Sequence, residues 1–206
     1  MTNAPVHTEQ HNGCLISIYH DDDPESPRAW DNLGTMACWH RRYHLGDDQP
    51  REATPVYLAR LVNDLYDDDC KAQRLYRESG ETRDDLYGIS EDWFEHRWAD
   101  DGCARLLDAI SDKAILLPLY LYDHSGITMN TTGFHCPWDS GQVGFIFASL
   151  EDVRREYGAQ RVSGKLRRTA EDALRAEVDV YDDYLRGEVY GYVIEHGGTL
   201  FLDEIA

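Results

Sequence analysis

Two apolar runs constrain the fold of this chain more than any other feature of its sequence. They span residues 114–122 and 143–148. Both are short and are flanked by turn-forming residues, which favours buried strands over buried helices. Pro118 interrupts the first run, and because proline has no N–H to donate, we expect it at a sheet edge or a β-bulge. The sequence therefore predicts a sheet that contains two buried strands.

The other predicted elements are strands near both ends of the chain and helices between them. Strands are predicted at residues 15–19 and at 189–202, the second as a hairpin that turns at Gly197 and Gly198. Residues 33–43 fit either a strand or an irregular segment. Apolar residues at helical spacing, together with capping residues, predict helices at 54–66, 90–110, 149–158 and 163–186.

This order of elements favours an α+β fold in a single domain over residues 1–206. We expect an antiparallel or mixed sheet of about five strands that helices cover on one side. The polar residues 1–13 are expected to form a flexible tail. Because 42% of the residues are hydrophobic, the composition is that of a folded protein.

The chain is strongly acidic. Its formal net charge is −19, from 39 acidic and 20 basic residues, and its lysines are only Lys71, Lys113 and Lys165. An acidic, lysine-poor composition is typical of salt-in halophiles, in which hydrated carboxylates keep proteins in solution, and it looks like that of a haloarchaeon or of its virus. The alternative is an acidic mimic of nucleic-acid phosphates. In either case we expect no direct binding to nucleic acid or to membranes.

Neither the first residues nor the cysteines indicate an exported protein. Residues 1–13 lack the basic start and the apolar stretch of a signal peptide, and no apolar run is long enough to span a membrane. The five cysteines are an odd number without a CxxC pair, which favours neither a disulfide framework nor a zinc ribbon. We therefore expect a protein of the host cytoplasm with reduced thiols.

The segment that joins the two apolar runs is the leading candidate for a functional site. This 123–142 connection is rich in glycine, hydroxyl and titratable side chains, whereas residues 111–150 contain only four charged side chains. Loops at strand ends commonly carry binding and catalytic residues. The candidate binding residues are the polar and aromatic side chains Asn130, Phe134, Trp138, Ser140 and Gln142.

One hypothesis for the connection is catalysis by an activated thiol. Cys136 would be the nucleophile, and its base would be His124 or His135. A carboxylate, Asp123 or Asp139, would orient the imidazole. The alternative is that Cys136 packs beneath neighbouring aromatic side chains.

A second hypothesis is a metal site, because imidazole, carboxylate and thiolate groups are ligands of zinc. Histidines that hydrogen-bond to the backbone explain the same residues without a metal. We favour that explanation, and we expect neither a metal nor another cofactor. The candidate ligands would be Asp123, His124, His135 and Cys136, joined by His20 and Asp22 from another loop.

Neither a second metal site nor a phosphate-binding motif is indicated elsewhere in the sequence. His40 and His44 are four residues apart, but Arg41 and Arg42 lie between them and disfavour a cation. Neither GxGxxG nor GxxxxGK[ST] occurs, so the chain has no phosphate-binding fingerprint. A nucleotide-dependent enzyme is therefore not expected.

Several segments carry a resemblance to known proteins. The longest is LPLYLYDHSGITMNTTGFHCPWDSGQVGFIF at 117–147, and it is joined by VRREYG at 153–158 and EVDVYDDYLRGEVYGY at 177–192. WDNLG at 30–34 and CWHRRY at 38–43 add to it. In these segments the chain resembles a widespread family of small phage- and plasmid-encoded proteins of unknown function. The resemblance implies a mobile-element setting and an accessory task such as interference with host restriction or CRISPR defences.

Taken with this resemblance, the sequence predicts an accessory protein of a virus or plasmid that binds a host or viral protein through the 123–142 connection. A charge-poor region with aromatic residues on a highly charged chain motivates this prediction, because exposed apolar patches commonly mark contacts. Two alternatives stay open. One is a small cysteine- and histidine-dependent hydrolase, and the other is the acidic nucleic-acid mimic.

Overall fold

The computed structural model describes residues 4–78, 101–196 and 199–203. Within them the chain forms eight strands and five α-helices, and the strands make two antiparallel four-stranded sheets. The fold is α+β, as predicted. The single sheet of about five strands is wrong, because strands from the two ends of the chain pair with one another and not with the buried strands.

The elements follow one another in mixed order along the chain. The strands are β1 (His7–His11), β2 (Cys14–His20), β3 (Thr35–Cys38), β4 (Ala114–Asp123), β5 (Ile127–Asn130), β6 (Ser140–Ser149), β7 (Tyr190–His196) and β8 (Thr199–Asp203). The helices are α1 (Thr54–Tyr66), α2 (Lys71–Glu78), α3 (Asp101–Lys113), α4 (Leu150–Glu156) and α5 (Gly164–Leu185).

Most of the predicted elements occur where the sequence placed them. β2, β4, β6 and the β7–β8 pair confirm the strand predictions. The ambiguous segment 33–43 contains a short strand, β3, and is irregular on both sides of it. Ser149 caps α4 by accepting a hydrogen bond from the amide of Asp152. The predicted helix at 90–110 lies partly outside the described residues, which include only the part that belongs to α3. The predicted turn at Gly197 and Gly198 lies wholly outside them.

The central sheet has the strand order β3-β6-β4-β5. Successive side chains of a strand point to opposite faces, so each strand contributes to two layers of core. Leu119 and its alternate neighbours pack with Leu174 of α5, whereas Phe145 packs with Ile110 of α3 in the second cluster. Helices therefore cover both faces of the sheet, and the predicted one-sided cover is wrong.

Glycine allows β3 and β6 to approach closely. A Cβ atom at Gly144 would lie 2.1 Å from the carbonyl oxygen of Ala37 and 3.0 Å from the Cα of Cys38. Any side chain at this position would separate the two strands. Gly144 is therefore a packing requirement of the central sheet.

The irregularity in β4 lies next to Pro118, as predicted. The register between β4 and β6 shifts between Leu119 and Tyr120. On the other side of β4, pairing with β5 begins only at Tyr120. Pro118 therefore lies where β5 requires no N–H from it.

The terminal sheet has the strand order β1-β2-β7-β8 and joins the two ends of the chain. Asn12 and Gly13 connect β1 to β2 with φ angles of 49° and 79°, the positive values that a type I′ hairpin turn requires. All five residues of β1 are exposed, and Ser17 is the one buried residue of β2. The predicted flexible tail is wrong for His7–His11, because this turn folds the polar segment back along β2.

A buried ion-pair network fastens the segment before β3 to α5. The side chain of Arg28, only 6% exposed, pairs with Asp47 at 2.6 Å and with Glu177 at 3.0 Å. Glu177 also accepts hydrogen bonds from the amides of Leu33 and Gly34. Burial lowers the pKa of Arg28, but the two carboxylates outweigh it and raise the pKa above its usual value. The network fixes the course of the chain into β3.

Candidate functional site

Part of the 123–142 connection is a strand. After a turn at residues 124–126, the chain returns as β5 and pairs with the end of β4. Asp182 of α5 accepts hydrogen bonds from the hydroxyl of Thr128 and the amide of Met129, at 2.7 and 2.6 Å. The remaining loop, residues 131–139, therefore begins at a strand that is anchored to a helix.

Two of the predicted binding residues hold the shape of this loop. The side-chain oxygen of Asn130 accepts hydrogen bonds from the amides of Thr132 and Gly133, at 3.0 and 2.7 Å. The hydroxyl of Ser140 donates to the carbonyl oxygen of Cys136 at 2.5 Å. Both side chains bond to the loop itself, so their role in this structure is to order its backbone.

The other three predicted binding residues differ in exposure. Gln142 donates a hydrogen bond within β6 to the carbonyl oxygen of Gly144 at 3.2 Å. The ring of Phe134 lies 5.6 Å from that of Tyr122 and is partly covered. Trp138 is 91% exposed. Of the five candidates, Trp138 is the one that is presented to solvent.

Asp139 brings two of the predicted catalytic residues together. Its Oδ2 atom lies 3.5 Å from Sγ of Cys136 and 3.5 Å from Nδ1 of His124. In an activated thiol the imidazole lies between the sulfur and the carboxylate, whereas here the carboxylate is in the middle. His135 is exposed and takes no part in these contacts. The predicted residue types meet, but in a different order from the predicted one.

Asp123 joins the site to a segment that sequence reasoning did not link with it. Its carboxylate accepts hydrogen bonds from the guanidinium of Arg42 at 3.2 Å and from the hydroxyl of Tyr43 at 3.3 Å. The ring of His40 stacks on Tyr43, and its Nδ1 accepts hydrogen bonds from the amides of Arg42 and Tyr43. Burial lowers the pKa of His40, although Asp123 opposes this effect. These neighbours belong to the CWHRRY segment at 38–43, in which no pattern indicates a contact with Asp123.

The geometry gives no support to the metal hypothesis. Across residues 4–78, 101–196 and 199–203, no three or more His, Cys, Asp or Glu side chains are grouped so that they could hold a metal ion. His40 and His44 have different partners, since His40 stacks on Tyr43 and Nδ1 of His44 bonds to Gln49. Their spacing of four residues therefore does not make them a pair.

Comparison with known proteins gives no function for this site, and the helices of the described residues give no sign of a membrane segment. Of the helices in the described part of the chain, none combines the length and the hydrophobicity that a membrane crossing requires. No protein-family model matches the chain, and it is significantly similar neither to a curated protein nor to a solved structure.

Proposed function

We propose that this chain is a non-enzymatic accessory protein of a virus or plasmid that binds a host or viral protein through the 123–142 connection. The binding surface is centred on Trp138, with Phe134 and Asp139 beside it in the same loop. The exposure of Trp138 is the observation that carries the proposal. The mobile-element setting rests on the family resemblance of residues 117–147, and a role against host restriction or CRISPR defences rests on that setting.

Tryptophan at an exposed position supports a binding role. Trp138 is 91% exposed, whereas Trp30 is 46% exposed and Trp39 packs against the second core cluster. Tryptophan is enriched among the residues that dominate interfaces, because covering its large ring removes much apolar area from water. Its burial in a partner's pocket would contribute roughly 2–4 kcal/mol to binding.

The loop that carries Trp138 is ordered before any partner binds. Asn130 and Ser140 bond to the backbone of the loop, and the amide of Asp123 donates to the carbonyl oxygen of Asp139 at 2.8 Å. A preordered loop loses little conformational entropy on binding. This rigidity favours recognition of one partner over general adhesion through an apolar side chain.

Charge near Trp138 indicates the chemistry of the partner. Of the two carboxylates at the base of the loop, Asp123 is already paired with Arg42. The side chain of Asp139, beside Trp138 in the sequence, is 39% exposed. The chain as a whole has a net charge of −19. A protein surface with an apolar pocket ringed by arginine or lysine would complement both features. The partner is therefore a basic protein surface.

Affinity capture in molar salt from an extract of the native host tests the proposal. The bait proteins are the natural chain, Trp138→Ala and, as a matched control, Trp30→Ala. We expect the natural chain and Trp30→Ala to recover the same partner. With Trp138→Ala the dissociation constant should rise about 30-fold, which corresponds to a loss of roughly 2 kcal/mol.

Two results would overturn the proposal. One is that no partner is recovered in molar salt, and the other is that Trp138→Ala binds as tightly as the natural chain. Thermal unfolding serves as the control for folding, because truncating an exposed side chain should change stability by no more than about 0.5 kcal/mol.

A small cysteine- and histidine-dependent hydrolase is the second candidate, because the shared contact of Asp139 with Cys136 and His124 favours it. A folded Cys136→Ala variant that keeps both partner binding and biological effect would remove the hydrolase. Loss of the effect with unchanged partner binding would favour it. The acidic nucleic-acid mimic stays a prediction.

A further inference from the structure

A different cysteine has the imidazole contact that was predicted for Cys136. Sγ of Cys14 lies 3.3 Å from Nδ1 of His196. The two residues meet because β2 and β7 pair in a register that places Cys14 directly opposite His196. When the imidazole proton is on Nε2, Nδ1 is an acceptor and the thiol donates to it. This is the sulfur–base contact through which proteins activate thiols.

Cys14 is partly exposed at the end of its strand. Cys14 is half-buried and is the first residue of β2, next to the Asn12-Gly13 turn. A Cβ atom at Gly13 would lie 3.7 Å from Cε1 of His196, so the turn between β1 and β2 lies beside the imidazole. His11 pairs with Cys14 from the other neighbouring strand. Cys14 therefore lies at the end of its strand, between the strand positions of His11 and His196.

Other cysteines with described surroundings lack such a base. Cys38 is 1% exposed, and burial raises the pKa of its thiol to about 12. Cys70 is exposed but directly follows the acidic residues 67–69. Cys136 faces the carboxylate of Asp139. Activation by an imidazole thus distinguishes Cys14 from these three.

We propose that Cys14 is a reactive thiol that His196 activates and that exchanges with low-molecular-weight disulfides. The thiol proton moves to Nδ1 of His196, and the sulfur attacks one sulfur atom of the disulfide. The S–S bond of the reagent breaks, a mixed disulfide forms at Cys14, and the departing thiolate takes the proton from His196. Cys14 is oxidised and the departing half of the reagent is reduced, so electrons and protons balance. This modification site is independent of the Trp138 surface.

Site-resolved modification of the full chain tests the proposal. The natural chain, His196→Gln and the control His11→Gln are exposed to glutathione disulfide at neutral pH, and peptide mass spectrometry measures the rate of mixed-disulfide formation at each cysteine. We expect Cys14 to react about tenfold faster than Cys70, and His196→Gln to remove this advantage. His11→Gln should keep the ratio of the two rates within about twofold of the ratio in the natural chain, because the proposal assigns activation of the thiol to His196 and not to His11.

The ratio of the Cys14 rate to the Cys70 rate in the natural chain tests the proposal even if a variant unfolds. In the natural chain, a ratio near one overturns the proposal, whatever the variants do. In a folded His196→Gln variant, an unchanged ratio also overturns it. Modification of the buried Cys38 reports unfolding, which would itself break the Cys14–His196 contact, so a slower reaction at Cys14 in His196→Gln supports the proposal only where Cys38 stays unmodified.

Discussion

The central and terminal sheets have the same number of strands but opposite surroundings. In the central sheet, Leu119 and Ile146 are fully buried because helices pack on both faces. In the terminal sheet, β1 is exposed throughout and most of β2 and β7 is partly exposed. No described residue of these three strands belongs to either core cluster. Among the described residues, cover by helices, and not the number of strands, therefore distinguishes the central sheet from the terminal one.

The groups proposed to bind and to react divide between the two sheets in the same way. Trp138 and Asp139 lie on a loop at the end of the covered sheet, where a rigid support holds an exposed surface. Cys14 and His196 lie in the terminal sheet, where strand pairing brings them together. We expect the first pair of residues to serve binding, and the second to serve modification, without either contributing much to stability.

The largest effect is expected from Arg28→Met, which removes the cation from the network that anchors the approach to the central sheet. Asp47 and Glu177 would keep their negative charges in positions that are largely shielded from water, and this should lower the free energy of unfolding by about 3–5 kcal/mol. Arg60→Met is the control, because Arg60 is half-exposed in its pair with Glu52 and its loss should cost about 0–1 kcal/mol. Urea unfolding at fixed salt measures both, and equal losses would contradict the assignment of the network.

Matched truncations compare the two sheets directly. Leu119→Ala leaves a cavity between β4 and α5 and should lower the free energy of unfolding by about 2–5 kcal/mol. Ile16→Ala in β2 removes a half-buried side chain and should lower it by about 1 kcal/mol or less. Equal losses in the free energy of unfolding of the two variants, measured with denaturant, would contradict the contrast between the two sheets.

Replacement of glycine by alanine should lower stability in the central sheet and leave it nearly unchanged in the terminal sheet. Gly144→Ala places a Cβ atom against the carbonyl oxygen of Ala37 and should destabilise the chain by about 1–3 kcal/mol or more. Gly191→Ala in β7 meets nothing within 4 Å and should change stability by no more than about 0.5 kcal/mol. Thermal unfolding of the pair checks this, and a tolerated Gly144→Ala would mean that β3 and β6 are not so closely packed.

The smallest effect concerns pH and His40, beside the candidate site. Because the pKa of His40 is lower in the folded chain than its ordinary 6.5, the unfolded chain binds this proton more readily. Stability should therefore fall as the pH decreases through the ordinary pKa towards the folded one, and His40 should contribute no pH dependence well above that range. His40→Gln should make the decline of the free energy of unfolding in acid shallower. The control is His7→Gln, which replaces an exposed side chain of β1 and should leave that decline unchanged. Unfolding curves across this pH range that are identical for His40→Gln and the natural chain would contradict the assignment.

Local patterns predicted the central sheet better than the terminal one. The apolar runs at 114–122 and 143–148 are themselves strands, and α5 follows from one apolar stripe. β1 has the sequence HTEQH, which lacks apolar alternation, so only the Asn12-Gly13 turn could have indicated it. The separation into two sheets depends on β2 pairing with β7 across most of the chain, and no local pattern encodes that.

The candidate site was predictable as a region but not as a geometry. Residue types identified the 123–142 connection, and three of its candidates do meet, at Asp139. Their order could not be predicted, because it depends on the path of the loop between β5 and β6, in which the ring of Phe134 lies beside that of Tyr122. The contact of Asp123 with Arg42 and the contact of Cys14 with His196 join residues 81 and 182 positions apart, so they exist only once the sheets have formed.

Amide hydrogen exchange of the chain, alone and with the partner that Trp138 captures, tests the central claim most directly. In the free chain, peptides from β4 and β6 should exchange more slowly than peptides from β1 and β2. On binding, new protection should appear at residues 131–142 and not in the terminal sheet. New protection confined to β1, β2 and β7, with residues 131–142 unchanged, would contradict the proposal that the chain acts through the Trp138 surface.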